Sequence, residues 1–239
     1  MRKLLCFTLL GRKLFYYEAY RSSQKYKTNM IKSQKIVVLF VRSRPNESNA
    51  NIVFRQTMDE LFNFDNQKEG AFLRDNFFFL LIPCLNPDGV TIGNSKCSLS
   101  GQDLNRVWGR PDRYLHPEVF YAKRLLKKLK KNNQIIFFTE FHANMSKPAC
   151  FMHGNNIPSN RKLPREFPSL MYEWCEGFDL KQCKYTYLIK LRNTANQERI
   201  ESRDIVQRVA DSQLLRVPRD DRSFDSWSRY RHRYLPENG

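Results

Sequence analysis

Three apolar runs stand out along the chain: Lys35–Val41 (KIVVLFV), residues 77–83 (FFFLLIP) and residues 135–141 (IIFFTEF). Each is long enough for a buried strand and too short for a helix. Residues 4–20 predict one or two further strands with Gly11-Arg12 as a turn, and residues 149–152 predict a short later one. Helical spacing appears between the strands. From residue 49 to 64, Ile52, Val53, Met58, Leu61 and Phe62 fit one helix, with Ser48 or Asn49 as its N-cap. Residues 117–131 predict another, with Pro117 in the first turn and Phe120, Leu125, Leu126 and Leu129 on one side. Its late lysines complement the helix dipole. Residues 21–34 are polar and basic and read as a loop. This alternation predicts an α/β protein with a mixed, largely parallel sheet and flanking helices.

Three of the predicted strands run directly into polar groups. Lys35–Val41 leads to Arg44 and Glu47, residues 77–83 to a long polar loop, and residues 135–141 to His142. Ligands of open α/β sheets bind at the carboxyl ends of strands, so these groups are expected to converge. The loop at residues 85–108 carries Asn86, Asp88, Asn94, Lys96, Gln102, Asp103, Asn105 and Arg106. That is more hydrogen-bonding capacity than a solvated connection needs. Asn105-Arg106 sets an amide beside a guanidinium fork, a pair suited to gripping a carboxylate. A turn-rich surface loop with an Arg salt bridge explains the same residues. The pattern alone leaves both readings open.

Composition narrows the picture. At 239 residues the chain can bury a real core, and 41% hydrophobic content with 18 Phe argues against wholesale disorder. A formal charge of +17 calls for an acidic partner. Nucleic acid is disfavoured, because the aromatics are not interleaved with Arg and Lys as in a nucleic-acid module. The six cysteines are scattered without a CxxC pair, as in reduced cytoplasmic proteins. Residues 4–10 are apolar but too short to span a membrane, and no small-residue cleavage site follows them.

The motifs NPDG at residues 86–89 and SLSGQDLNRVW at 98–108 resemble the signature of the cytosolic carboxypeptidases, the tubulin-deglutamylating branch of the zinc carboxypeptidase family. GRK at 11–13, the segment at 44–48 and EFHANMSKPACFMHG at 140–154 follow the same order and approximate spacing. The likeness runs from about Thr8 to about Tyr187, which implies a zinc-carboxypeptidase-like fold in residues 1–187 and a divergent tail in 188–239. It implies that Glu47 is a zinc-ligating carboxylate and His142 the third ligand, completing an open site in which zinc activates water. Asn105 and Arg106 match the pair that holds a peptide's terminal carboxylate, and Lys96 lies about where the family has its oxyanion-stabilising Arg. Asp103 matches the residue that orients the first zinc-binding His.

Two departures stand against the resemblance. The first-ligand His is replaced by Arg44, whose guanidinium has no lone pair for a metal. With one His and one Glu left, zinc affinity is expected to fall by orders of magnitude. Arg44 is instead expected to pair with Asp103 and Glu47 in a metal-free cluster. His116 and His232 do not match ligand positions; His153 is the one candidate for a compensating ligand. The family's general base, a Glu in a later strand, has no counterpart, since no motif recommends Glu198 or Glu201. Residues 190–239 show no clear strand, which suggests a truncated or frame-shifted copy, incomplete at its C-terminal end and without the family's preceding β-rich domain.

The implied functions follow. One is a cytoplasmic zinc metallocarboxypeptidase of weak or no activity, acting on C-terminal glutamates of acidic tails such as those of tubulin. The alternative is a pseudopeptidase that binds such tails without cutting them. A poorly folding fragment is a third reading, and a nucleic-acid binder a distant fourth.

Overall fold

The computed structural model describes residues 1–20, 35–62, 68–131, 133–144, 146–147, 149–155, 160–186 and 214–218. The first two strands, β1 (Arg2–Phe7) and β2 (Lys13–Ala19), form an antiparallel hairpin. Gly11 has a φ of 70° at its turn, a conformation that glycine adopts without steric cost. The central strands are β3 (Lys35–Val41), β4 (Phe78–Ile82) and β5 (Gln134–Asn144). β3 lies between the other two and runs parallel to both. Outer strands β6 (Phe151–Asn155), β7 (Lys184–Thr186) and β8 (Leu214–Pro218) complete one mixed sheet. Its order is β1-β2-β4-β3-β5-β8-β6-β7.

Strand parity builds a core on each side of the sheet. On one face, Ile36, Val38, Phe40, Leu80 and Phe138 pack against Val119, Ala122 and Leu126 of α4 (Pro117–Lys130). On the other, Leu39, Val41, Leu81 and Phe141 meet Ala50, Phe54 and Leu61 of α1 (Ser48–Phe62). Because β4 is buried along its whole length, its sequence is continuously apolar rather than alternating. Edge-on ring contacts tie strands to helix and to each other, with Phe54 and Phe141 centroids 5.5 Å apart and Phe40 and Phe138 at 5.0 Å. Among the described residues, no helix is long and apolar enough to cross a membrane.

Several elements differ from the sequence expectation. Helix α2 (Lys68–Asn76) was not anticipated, because its apolar stripe is weak. It docks closely on α1 instead: buried Arg74 donates to the Leu61 carbonyl, and a Cβ at Gly70 would lie 2.6 Å from the Glu60 carbonyl oxygen. Residues 85–108, read as an irregular loop, contain α3 (Pro87–Ile92). Its ends carry ordinary stop and start signals: the Asn86 side chain accepts from Gly89 N, Pro87 opens the helix, and Gly93 closes it at φ 83°. Helix α5 (Leu163–Trp174) and the short β7 were also missed. β6 starts two residues later than expected.

The largest correction lies in the tail. Residues 190–239 were expected to contain no clear strand, yet Leu214–Pro218 is β8, inserted between β5 and β6. It runs parallel to β5 and antiparallel to β6. Neighbouring strands supply the pairing that a short Arg-containing segment does not signal by itself. The loop expected at residues 21–34 lies outside the described residues, as does the rest of the tail beyond Thr186.

One buried group makes the fold pH-sensitive. Glu118, at the start of α4, is 1% exposed, and its Oε2 has no hydrogen-bond partner among the described residues. Burial, with a smaller contribution from nearby Asp88, pushes its pKa up from 4.5 to about 7. A raised carboxyl pKa favours the fold below pH 4.5, and that contribution disappears as pH rises through 7. We therefore expect Glu118→Gln to leave the melting temperature nearly unchanged at acid pH and to raise it by several degrees above pH 8. Melting curves of the two proteins across that range would check this, and equal shifts at both ends would refute it.

Candidate active site

The site forms where β3, β5 and the α3 loop end together. β3 leaves the sheet at Arg42, whose φ of 61° is uncommon for a residue with a side chain. The turn carries residues 43–47 across the ends of the strands. Asn86 locks the neighbouring loop onto this segment, donating from its buried amide to the Ser43 carbonyl at 3.1 Å. Gly89 completes the fit. A Cβ there would lie 2.5 Å from Pro45 Cγ and 2.8 Å from the Cys97 carbonyl oxygen, so α3 can press against Pro45 only because residue 89 is glycine.

Arg44 holds the centre of the cluster. Its Nε and Nη2 donate to Asp103 Oδ2 at 3.2 and 3.0 Å, and its Nη1 reaches Glu47 Oε1 at 3.4 Å. The guanidinium side chain is 16% exposed and the two carboxylates 9% and 5%. Burial favours loss of the Arg44 proton, but the carboxylates of Asp103 and Glu47 outweigh it and hold the pKa above its ordinary value. Asp103 has a second duty. Its Oδ1 accepts from Asn105 N at 2.9 Å and so caps the 3-10 turn Leu104–Arg106. Lys96 Nζ approaches Asp103 Oδ2 at 3.7 Å from a more exposed position.

His142 sits between two carboxylates. Its Nδ1 is 2.6 Å from Glu47 Oε2, and its Nε2 is 3.1 Å from Glu140 Oε1 and 3.0 Å from the Asn105 side-chain amide. Burial alone would lower the imidazole pKa, but Glu140 and Glu47 overcome it and raise it to about 9. Glu47 moves the other way. Burial pushes it up, and contacts with His142 and Arg44 bring it below the usual carboxylate value. Ser43 Oγ donates to Glu140 and completes the ring of contacts.

Six residues marked in the sequence therefore meet: Arg44, Glu47, Lys96, Asp103, Asn105 and His142. Arg106 stands exposed beside them, with Nη1 donating to the Asn105 carbonyl at 3.4 Å. His116 is elsewhere, its Nδ1 accepting from Asp112 N at the start of α4. His153 is on β6 with β8 between it and β5, two strand spacings or about 10 Å away, which removes it as a compensating ligand. His232, Glu198 and Glu201 lie outside the described residues. Sequence reasoning missed Ser43 and Glu140. The available signal was the period of two in a strand, which puts residue 140 on the same face as His142.

The donor set does not fit a catalytic zinc. Among the described residues, no three His, Cys, Asp or Glu side chains are arranged to hold a metal ion. Glu47 and His142 are engaged with each other, and the neighbouring Arg44 is a guanidinium, which cannot ligate.

Comparison with known proteins identifies the family to which this sheet and its strand-end loops belong. The zinc carboxypeptidase family model matches residues 31–181, more than half of the chain, and the chain belongs to that family. Its sequence relatives include cytosolic carboxypeptidases. Cytosolic carboxypeptidase 1 of Danio rerio is 32% identical over 180 residues, covering 69% of this chain and 15% of the relative. Cytosolic carboxypeptidase 4 of Homo sapiens is 42% identical over 121 residues, covering 50% of this chain and 11% of the relative. The chain thus spans a small part of the curated relatives it matches. A metallo-carboxypeptidase crystal structure from Burkholderia cenocepacia shares the fold, with a TM-score of 0.70 at 20% identity over 91% of this chain and 55% of that one.

Breaking a buried ion pair from one side leaves the other charge uncompensated, at a cost of about 3–5 kcal/mol. Glu47→Ala takes one of two carboxylate partners from each of Arg44 and His142, which keep Asp103 and Glu140, so we expect it to lower unfolding free energy by roughly 3 kcal/mol. Urea denaturation at neutral pH measures this, and a loss below about 1 kcal/mol would show that the cluster contributes little.

Proposed function

We propose that this chain is a carboxypeptidase-fold module that binds acidic C-terminal tails without hydrolysing them. The observation that carries the reading is the engagement of Arg44 with Asp103 and Glu47, at the position where the family resemblance implies a metal-binding His. A zinc peptidase needs three donors there and an open position for water. This cluster supplies two donors and directs a guanidinium at the carboxylate that would be one of them. The groups suited to substrate remain in place. Arg106 is exposed next to Asn105, and Lys96 adds a second, half-exposed positive charge on the same loop. These cations and a chain charge of +17 suit a polyanionic peptide with a free terminal carboxylate.

Glutamate-rich tails of the tubulin kind are the partner class this chemistry selects, and the cytoplasm is the compartment we infer. All six cysteines are free thiols, and the relatives named above are cytosolic carboxypeptidases. A zinc carboxypeptidase acting on the same tails is the competing reading, favoured by family membership and by the survival of Glu47 and His142.

The two readings separate in one set of measurements on glutamate-rich peptides. We expect binding that persists after chelation, no released glutamate, and at least about tenfold weaker binding in Arg106→Ala, the scale of one charge-assisted contact. Amidating the peptide's C-terminus should cause a similar loss. Glutamate release that requires zinc and disappears in Glu47→Ala would establish the peptidase instead.

A further inference from the structure

We propose that Arg44 is the resident cation of this site, taking over by covalent attachment the charge and bracing that a bound metal would supply. The inference rests on the reading above that the native site works without metal. Glu47 and Glu140 are buried and Asp103 is partly buried within one hydrogen-bonded cluster, in which His142 meets Glu140 and Glu47 while Arg44 meets Asp103 and Glu47. Buried carboxylates need a cation held in place, because solvent cannot compensate them. Lys96 does not meet that need: its side chain is 55% exposed and 3.7 Å from Asp103. Arg44 does, since its fork reaches Asp103 through two nitrogens and Glu47 through the third. An ammonium group could not span both acids in this way.

The bracing has a direction. Arg44 holds Oδ2 of Asp103, and Oδ1 of the same carboxylate caps the turn that carries Asn105 and Arg106. Asn105 in turn meets His142. Arg44 is therefore a positioning residue for the carboxylate grip, and it acts through Asp103. Removing its charge should loosen the grip as well as the fold. Replacing it with histidine changes the chemistry of the vacancy. A neutral imidazole leaves the cluster short of one cation and adds a third donor to Glu47 and His142, so that a divalent metal can serve in its place.

The test compares the 239-residue chain with Arg44→His and Arg44→Met, each freed of metal and then given one equivalent of zinc. Melting temperature, bound zinc and affinity for a glutamate-rich peptide are read for each. Wild type should be indifferent to zinc in all three. Arg44→Met should melt several degrees lower, bind peptide about tenfold more weakly and stay unrescued. Arg44→His should resemble Arg44→Met without metal, then take up close to one zinc and recover both stability and affinity. Adding His142→Ala to Arg44→His should abolish uptake. An Arg44→His protein that takes up no zinc, or that stays unfolded even when refolded with zinc, would overturn the proposal while leaving the metal-free reading intact. Rescue of Arg44→Met by zinc would overturn it too. Stoichiometric zinc on wild type would instead remove the reading on which the proposal rests.

Discussion

A carboxylate buried at the end of a sheet cannot be left alone. The energy of an uncompensated charge in that setting exceeds what one packed side chain contributes, so the rest of the site must arrange itself around the answer. Here the answer is the contact between Arg44 and Asp103. One oxygen of Asp103 faces the guanidinium and the other faces the backbone of the turn that follows it. A single carboxylate thereby links the segment leaving β3 to the loop leaving β4. His142 and Glu140 bring in β5 by the same means, through Glu47 and Ser43. The strand ends form one hydrogen-bonded unit.

The core and the site are physically separable, and this accounts for a family fold surviving an altered centre. Both cores are set by side-chain parity on β3, β4 and β5 and by the stripes of α1 and α4. None of those contacts requires a metal. A change of charge at the strand ends therefore alters the electrostatics there without asking the sheet to repack.

How much was legible follows from which forces leave a local mark. Continuous apolar runs of five to seven residues disclosed β3 and β4, since strands covered on both faces have no polar alternation to confuse them. Helix α2 left almost no mark, because Arg74 and Gly70 hold it to α1 through tertiary contacts. Pro164 and Pro168 obscured α5, and β8 owes its pairing to β5 and β6. At the site, Glu47 and His142 were marked by their place at strand ends, and Asp103 and Asn105 by the resemblance of their loop to a known family. Ser43 and Glu140 were not, because a serine in a turn and a glutamate in an apolar strand have no meaning until the partner across the sheet is known.

The clearance over Gly89 has a mechanical consequence. With Pro45 on one side and the Cys97 carbonyl on the other, there is no slack between α3 and the segment holding Arg44 and Glu47. The two loops are keyed, like a tongue in a slot, and they must shift together or not at all. A peptide pressing on the α3 loop from outside would then be felt at the buried acids as displacement, not absorbed as bending. Rigidity at one glycine makes the surface and the interior of this site a single moving part.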